Sequence, residues 1–262
     1  MKILMLGGTG TIGSAATEEL VRRGHAVTAA SRDDTKLALL AERLCGVDTR
    51  ICDVTYVDDL FDIFSDKWDF VVNAAALKHV VYCERFPLAA FRVNSVAAHS
   101  VASFCAHARI PYLFISTDKA VQPVSVLGRS KMRGEEATRS YGGHVVRFGN
   151  VLGSRGSVLP IWQEQLERRG KLRLTSVDMV RWWIALKDAA SFIANVVENP
   201  GPNPLHVPGP DVMFEMPVLK VMQLAFGPEV PYEIVKPGTG EKLHEELYWP
   251  HERPEGAAPA GA

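Results

Sequence analysis

Through the first 150 residues, short apolar runs alternate with longer stretches that mix apolar and polar positions. The runs at Ile3–Leu6, Ala26–Ala30, Thr49–Ile51, Phe70–Val72, Tyr112–Ile115 and His144–Arg147 read as strands. The stretches between them read as helices, the first being Ser14–Arg23. Strand and helix in alternation, without a short internal repeat, predict an α/β protein with a doubly wound parallel (Rossmann) sheet. The segment from Glu84 to Ala108 is Ala- and Ser-rich and nearly uncharged, which predicts one helix buried over much of its surface. Two uses of that helix stand side by side: packing on the sheet, or a share in a dimer interface. After Arg147 the pattern loosens into Gly, Pro and scattered short elements. Residues 1–150 are therefore expected to form the Rossmann domain, and 151–249 a small substrate-binding lobe interleaved with late strands. Pro- and Ala-rich residues 250–262 read as a disordered tail. Substrate belongs in the cleft where the carboxyl ends of the strands face the lobe.

Gly7, Gly10 and Gly13 fall between the first strand and the first helix. That context turns a weak glycine pattern into a dinucleotide-binding expectation. Gly7 permits the tight turn, Gly10 lets backbone approach a pyrophosphate, and Gly13 lets helix and strand pack closely. Thr11 and Ile12 complete the turn, and the helix N-terminus offers N–H groups to the phosphates.

The second strand ends in Ala29-Ala-Ser-Arg-Asp-Asp34, which bears on the choice of nucleotide. Ser31 and Arg32 take the early loop positions, and a guanidinium suits a 2′-phosphate, so NADP is favoured. Asp33 and Asp34 keep NAD as the alternative, since either carboxylate can reach a bare ribose, and Arg32 also reads as a plain surface charge. Asp53 and Val54 follow the third strand, where adenine is commonly met. Ala74 and Ala75 follow the fourth, where small side chains admit the cofactor.

Composition excludes more than it assigns. The chain of 262 residues is 47% hydrophobic and 23% charged with a formal net charge of -1, so neither nucleic acid nor an anionic membrane is an expected partner. No apolar stretch approaches the roughly 20 residues of a bilayer span. The immediate start on a strand argues against a signal peptide. Cys45, Cys52, Cys83 and Cys105 lack metal-type spacing, as do the histidines, so no metal is expected. The thiols read as reduced and the protein as cytoplasmic.

Phe114-Ile-Ser-Thr-Asp-Lys-Ala120 sets Thr117, Asp118 and Lys119 just past a strand. A carboxylate beside an ammonium in a partly desolvated cleft suits acid–base work, although such a pair in an ordinary loop is solvated. Lys131 follows on a helix, four residues after Leu127 and on the same face.

These residues resemble the extended short-chain dehydrogenase/reductase superfamily, and within it the nucleotide-sugar 4,6-dehydratases of capsule and flagellar-glycan biosynthesis. The resemblance is carried by Ala76-Leu-Lys-His-Val80, Ser116-Thr-Asp-Lys-Ala120, the run from Arg147 to Val158, and Gly240-Glu-Lys-Leu-His-Glu-Glu-Leu247. It spans residues 1–198 and returns at 236–247, while 199–235 offers little to match. It implies a UDP-N-acetylhexosamine substrate whose carbon 4 is oxidised, whose carbon 5 loses a proton and whose carbon 6 loses water, through a 4-keto intermediate. Return of the hydride to carbon 6 then regenerates NADP, and carbon 5 is open to inversion. Lys119 would be the base at carbon 5, Asp118 the acid at the leaving hydroxyl, Thr117 the partner of the carbon 4 oxygen and Lys131 the holder of the nicotinamide ribose. Lys78, Asn150, Arg155, Arg181 and Glu241 would serve the substrate, and Trp182 and Trp183 read as core. A homo-oligomer is expected. The usual superfamily Tyr is Leu127 here, as it is Met in related membrane-attached dehydratases. Two alternatives follow: an epimerase or 5,6-dehydratase of the same superfamily, and a non-catalytic NADP-binding protein.

Overall fold

A computed structural model describes residues 1–154 and 156–254. The first half runs β1 (Lys2–Leu6), α1 (Thr11–Arg22), β2 (Ala26–Ser31), α2 (Asp34–Arg43), β3 (Val47–Ile51), α3 (Val57–Ile63) and β4 (Phe70–Asn73). It continues through α4 (Val80–Arg85), α5 (Pro87–Phe91), a π-helical stretch at Arg92–Ala97, α6 (Ala98–Ala108), β5 (Tyr112–Thr117), a 3₁₀ turn at Asp118–Ala120, α7 (Val126–Ser140) and β6 (His144–Phe148). The second half comprises β7 (Asn150–Leu152), α8 (Val158–Arg169), β8 (Leu172–Leu174), β9 (Val180–Ala185), α9 (Leu186–Glu198), β10 (Leu205–His206), β11 (Met213–Pro217), α10 (Val218–Phe226) and β12 (Tyr232–Ile234).

Seven strands form one sheet in the order β10-β6-β5-β4-β1-β2-β3, and every pairing in it is parallel. This is the doubly wound sheet expected from the apolar pattern. Its strands read as near-continuous apolar runs because both faces are covered. In β1, Ile3 and Met5 join α1 and α9 through Leu20 and Ile193. Leu4 and Leu6 face the other layer, with Leu60 of α3 and Val101 of α6. Each such fully buried aliphatic side chain contributes about 1.5–3 kcal/mol. The strand order reverses at β1 and β4, so a crevice opens at their carboxyl ends. Because the strands are parallel, the loops after β1 to β6 all emerge at that edge.

A smaller sheet, β11-β9-β7, stands beside the large one, with β12 paired to β8 beyond it. Trp162, Leu172, Met179, Trp183 and Met222 form its core. Trp183 is buried and its indole N–H donates to the Met216 carbonyl, while the Trp182 indole donates to that of Glu245. No helix of the described residues is long and apolar enough to cross a membrane.

Two expectations are corrected. The single helix expected over Glu84–Ala108 is broken at Phe86 (φ -129°, ψ 63°). Pro87 starts α5, because proline supplies no N–H for a continuing helix and disfavours helical backbone in the residue before it. Downstream, one stripe is buried (Asn94, Ala98, Val101, Ala102 and Cys105), while Val96 on the opposite face is exposed. The disordered tail does not begin at residue 250: the Glu252 carboxylate is 2.6 Å from the guanidinium of the fully buried Arg147. Residues 255–262 of that stretch lie outside the described residues.

Candidate active site

The turn after β1 is shaped by what a side chain would strike. A Cβ on Gly7 (φ +76°) would lie 2.5 Å from the Ala75 nitrogen, and one on Gly13 would lie 2.3 Å from the Gly7 carbonyl oxygen. Gly8, which the sequence reading passed over, abuts β2: its Cβ would come within 2.7 Å of that of Ala29. A Cβ on Gly10 would meet the Gly7 oxygen alone, at 3.1 Å, so the turn is open on that side. α1 starts there with no side-chain cap. Backbone brought this close to the end of β4, beside an uncapped helix start, fits a dinucleotide pyrophosphate. Thr11 and Ile12 form the first turn of α1.

The expected adenosine-side residues also meet at this edge. Ser31 accepts a hydrogen bond from Thr9 at 2.8 Å. Arg32 keeps 68% of its side chain exposed and stands 3.6 Å from Asp53. Asp53 is also engaged by the hydroxyl and N–H of Thr55. Val54 is buried in the core. Ala74 donates its N–H to the Leu6 carbonyl, and Ala75 donates to the Asn73 side chain.

Three of the expected catalytic residues meet at the end of β5. The Asp118 side chain is completely buried. Its Oδ1 accepts from the Thr117 hydroxyl at 2.8 Å and from the Lys119 ammonium at 3.0 Å. Its Oδ2 has no hydrogen-bond partner among the described residues. Asp118 thus lies beneath Thr117 and Lys119. Asn150, opening β7, offers its side-chain oxygen 3.5 Å from the Lys119 nitrogen.

α7 is pressed against this turn: a Cβ on Gly128 would be 2.2 Å from the Lys119 carbonyl oxygen. Ser125 caps the helix by accepting from the Gly128 N–H, and Glu84 accepts from that of Val126. Lys131 is buried, donates to the Ile115 carbonyl at 2.7 Å and lies 4.2 Å from the centre of the Phe114 ring. Burial pulls its proton affinity from 10.5 down to about 7, with Glu135 opposing. Leu127 sits in an apolar cluster with Cys83, Ala90 and Val126.

The substrate-side residues divide. Lys78 is exposed after β4, and Arg155 lies outside the described residues. Arg181 does not offer its guanidinium to an anion: it is buried and donates to the carbonyls of Val180, Lys242 and Leu243. The reason is that the chain segment after residue 240 lies across β9 and brings the Lys242 and Leu243 carbonyls to it. Glu241 accepts from the Gly238 N–H at 2.9 Å, closing a local turn.

The sequence reading missed three groups. Asn94, in the π-helical stretch, exchanges two 2.9 Å hydrogen bonds with the Leu77 backbone and donates to Ser130, clamping the loop after β4 onto α7. Glu245 is 2% exposed, lies 3.9 Å from the Lys119 nitrogen, and is paired with Lys242 at 2.8 Å. Glu135 accepts from the Ser116 hydroxyl and pairs with Arg147. None of the three carries a local signal, because each is defined by partners on other segments.

Residues 3–258 match a family described as polysaccharide biosynthesis protein. The chain is 32% identical to the UDP-N-acetylglucosamine 4,6-dehydratase (inverting) of Campylobacter jejuni, over 93% of this chain and 76% of that enzyme. It is 28% identical to the UDP-glucose 4-epimerase of Rickettsia typhi, over 94% of this chain and 76% of the relative. Among solved structures, Pen from Bacillus thuringiensis superposes with a TM-score of 0.82 at 26% identity, covering 94% of this chain and 81% of that one.

Proposed function

We propose that this chain, which belongs to the polysaccharide biosynthesis protein family and to the nucleotide-sugar dehydratase branch of the extended short-chain dehydrogenases/reductases, is an NADP-dependent UDP-N-acetylhexosamine 4,6-dehydratase. One observation carries the reading: Thr117 and Lys119 both contact a single buried oxygen of Asp118 at the crevice edge. A nicotinamide dinucleotide supplies hydride acceptance and return when bound. Its pyrophosphate would lie over Gly7, Gly10 and Gly13, and its 2′-phosphate near Ser31 and Arg32.

The protein's own groups move the protons. The Thr117 hydroxyl receives the proton of the carbon 4 hydroxyl while handing its own to Asp118 Oδ1, which gives the 4-keto sugar. The Lys119 side chain, as the neutral amine, removes the acidified proton on carbon 5. Asp118 returns its proton, again by way of Thr117, to the carbon 6 hydroxyl, which leaves as water. Lys119 then returns a proton to carbon 5, and both side chains end as they began. Solvent exchange on Lys119 between its two steps would place solvent hydrogen on carbon 5. Delivery to the opposite face of the ring would invert that carbon.

An epimerase acting at carbon 4 is the second reading, favoured by the epimerase relatives. It requires no base at carbon 5, and Lys119 would then have no proton to take. Incubation with UDP-N-acetylglucosamine in heavy water, followed by mass analysis of the sugar, separates the two. Loss of one water with solvent deuterium retained on carbon is the expected result. An epimer without water loss would replace this reading with the second, and an unchanged sugar in the presence of bound cofactor would end both.

A further inference from the structure

Lys119 does not face Asp118 alone. The chain from Lys242 to Leu247 crosses the end of the crevice as a strap, pinned along its length. Arg181 binds its first carbonyls, the Trp182 indole binds that of Glu245, and Arg147 binds that of Leu247. The strap inserts two charges beside the catalytic turn. Glu245, buried, stands 3.9 Å from the Lys119 nitrogen. Lys242 stands 2.8 Å from the other carboxylate oxygen of Glu245 and donates to the carbonyl of Val121, the residue that ends the turn. Asp118, Lys119, Glu245 and Lys242 thus form a chain of two anions and two cations whose charges cancel.

We propose that Glu245 is a positioning residue for Lys119, and that Lys242 tunes it: together they set the pH at which the Lys119 amine becomes free to take the carbon 5 proton. This rests on the reading of Lys119 as that base. An anion close to an ammonium favours its protonated form, and a nearby cation favours the neutral one. The charged groups around Lys119 are Asp118 on its own turn and Glu245 and Lys242 on the strap; Asn150, from β7, is neutral. Lys131 of α7 is held on the Ile115 carbonyl, and Arg181 of β9 on strap carbonyls. Glu245 and Lys242 are therefore the two charges beside Lys119 that lie off its own turn.

The test is the pH profile of kcat for Glu245→Gln, Lys242→Gln and the double variant, with heavy-water incorporation measured in parallel. Glu245→Gln should move the acid limb about 1 pH unit lower. Lys242→Gln should move it higher, and the double variant should bring it back near wild type. KM for the nucleotide sugar should change less than kcat. A merely structural strap would depress activity in both single variants without moving the limb in opposite directions, and that result overturns the proposal. Should Glu245→Gln fail to fold, Lys242→Gln with Glu245→Asp decides: an unmoved limb in the first, or no recovery of turnover in the second, overturns it equally. If the wild type expels water and incorporates deuterium while the limbs stay put, the inference about Glu245 falls and the base reading stands. If the wild type does neither, the base reading itself falls.

Discussion

Lys131 holds its proton far less tightly than an exposed lysine, at about 7 against 10.5, chiefly because its nitrogen is buried. Between those values the unfolded chain binds a proton that the folded chain does not, so this residue makes stability rise with pH across that window. Above pH 9 the buried thiols Cys52 and Cys83, pushed up to about 12 and 11 by burial, act in the opposite sense. The clean window is therefore pH 7 to 8.5. There the wild type should gain about 1 kcal/mol per pH unit over Lys131→Met in urea unfolding. Equal slopes in the two proteins would show that Lys131 is not held neutral. Absolute stability of the variant also includes the loss of the donor to the Ile115 carbonyl; the slope does not. At this scale the sequence was most legible where residues adjacent in the chain act together. Thr117, Asp118 and Lys119 meet as read. Arg181 looked like an anion ligand because a lone guanidinium among apolar residues invites one, and two of the three carbonyls it binds lie 61 and 62 positions away.

Elements carry the precision that single residues lack. β5 ends in the Asp118–Ala120 turn, and the first turns of α7 lock against that turn through a position where no side chain fits. Adding a methyl group at Gly128 drives it into the Lys119 carbonyl and to 2.9 Å from the Pro123 Cβ. Gly128→Ala should therefore keep the fold, as judged by circular dichroism, yet lower turnover roughly 10²-fold by shifting the turn relative to α7. Undiminished turnover would show that this contact does not set the geometry. The six parallel strands and α1 were legible because alternating buried runs and a glycine turn are local signals. The break before Pro87 was also readable from proline chemistry, but the Ala-rich composition around it suggested continuity. The π-helical stretch has no local signature, since it lets Asn94 reach Leu77 and Ser130 on two other segments.

The whole molecule decides what the site can do, because its parts arrive from distant stretches of chain. Arg147, buried in the central sheet, ties Glu135 of α7 to Glu252 near the end of the described chain, and Arg139 joins the same carboxylates. Breaking such a buried pair costs about 3–5 kcal/mol, which is why the segment around Glu252 is folded despite its Pro-rich composition. Arg147 also binds the Leu247 carbonyl, and with Arg181 and the Trp182 indole it holds the strap that carries Glu245. The contacts to Glu252, Asn150 and Glu245 were not legible in sequence, because they join residues from about thirty to more than a hundred positions apart. If the assembled cleft moves protons through Asp118, Asp118→Asn removes the group that takes them. Asn keeps the size and an oxygen for Thr117 and Lys119 but cannot accept the proton. The variant should bind NADP as the wild type does while its turnover of UDP-N-acetylglucosamine falls roughly 10²–10⁴-fold. Near-normal turnover by the cofactor-loaded variant would show that Asp118 does not carry the proton.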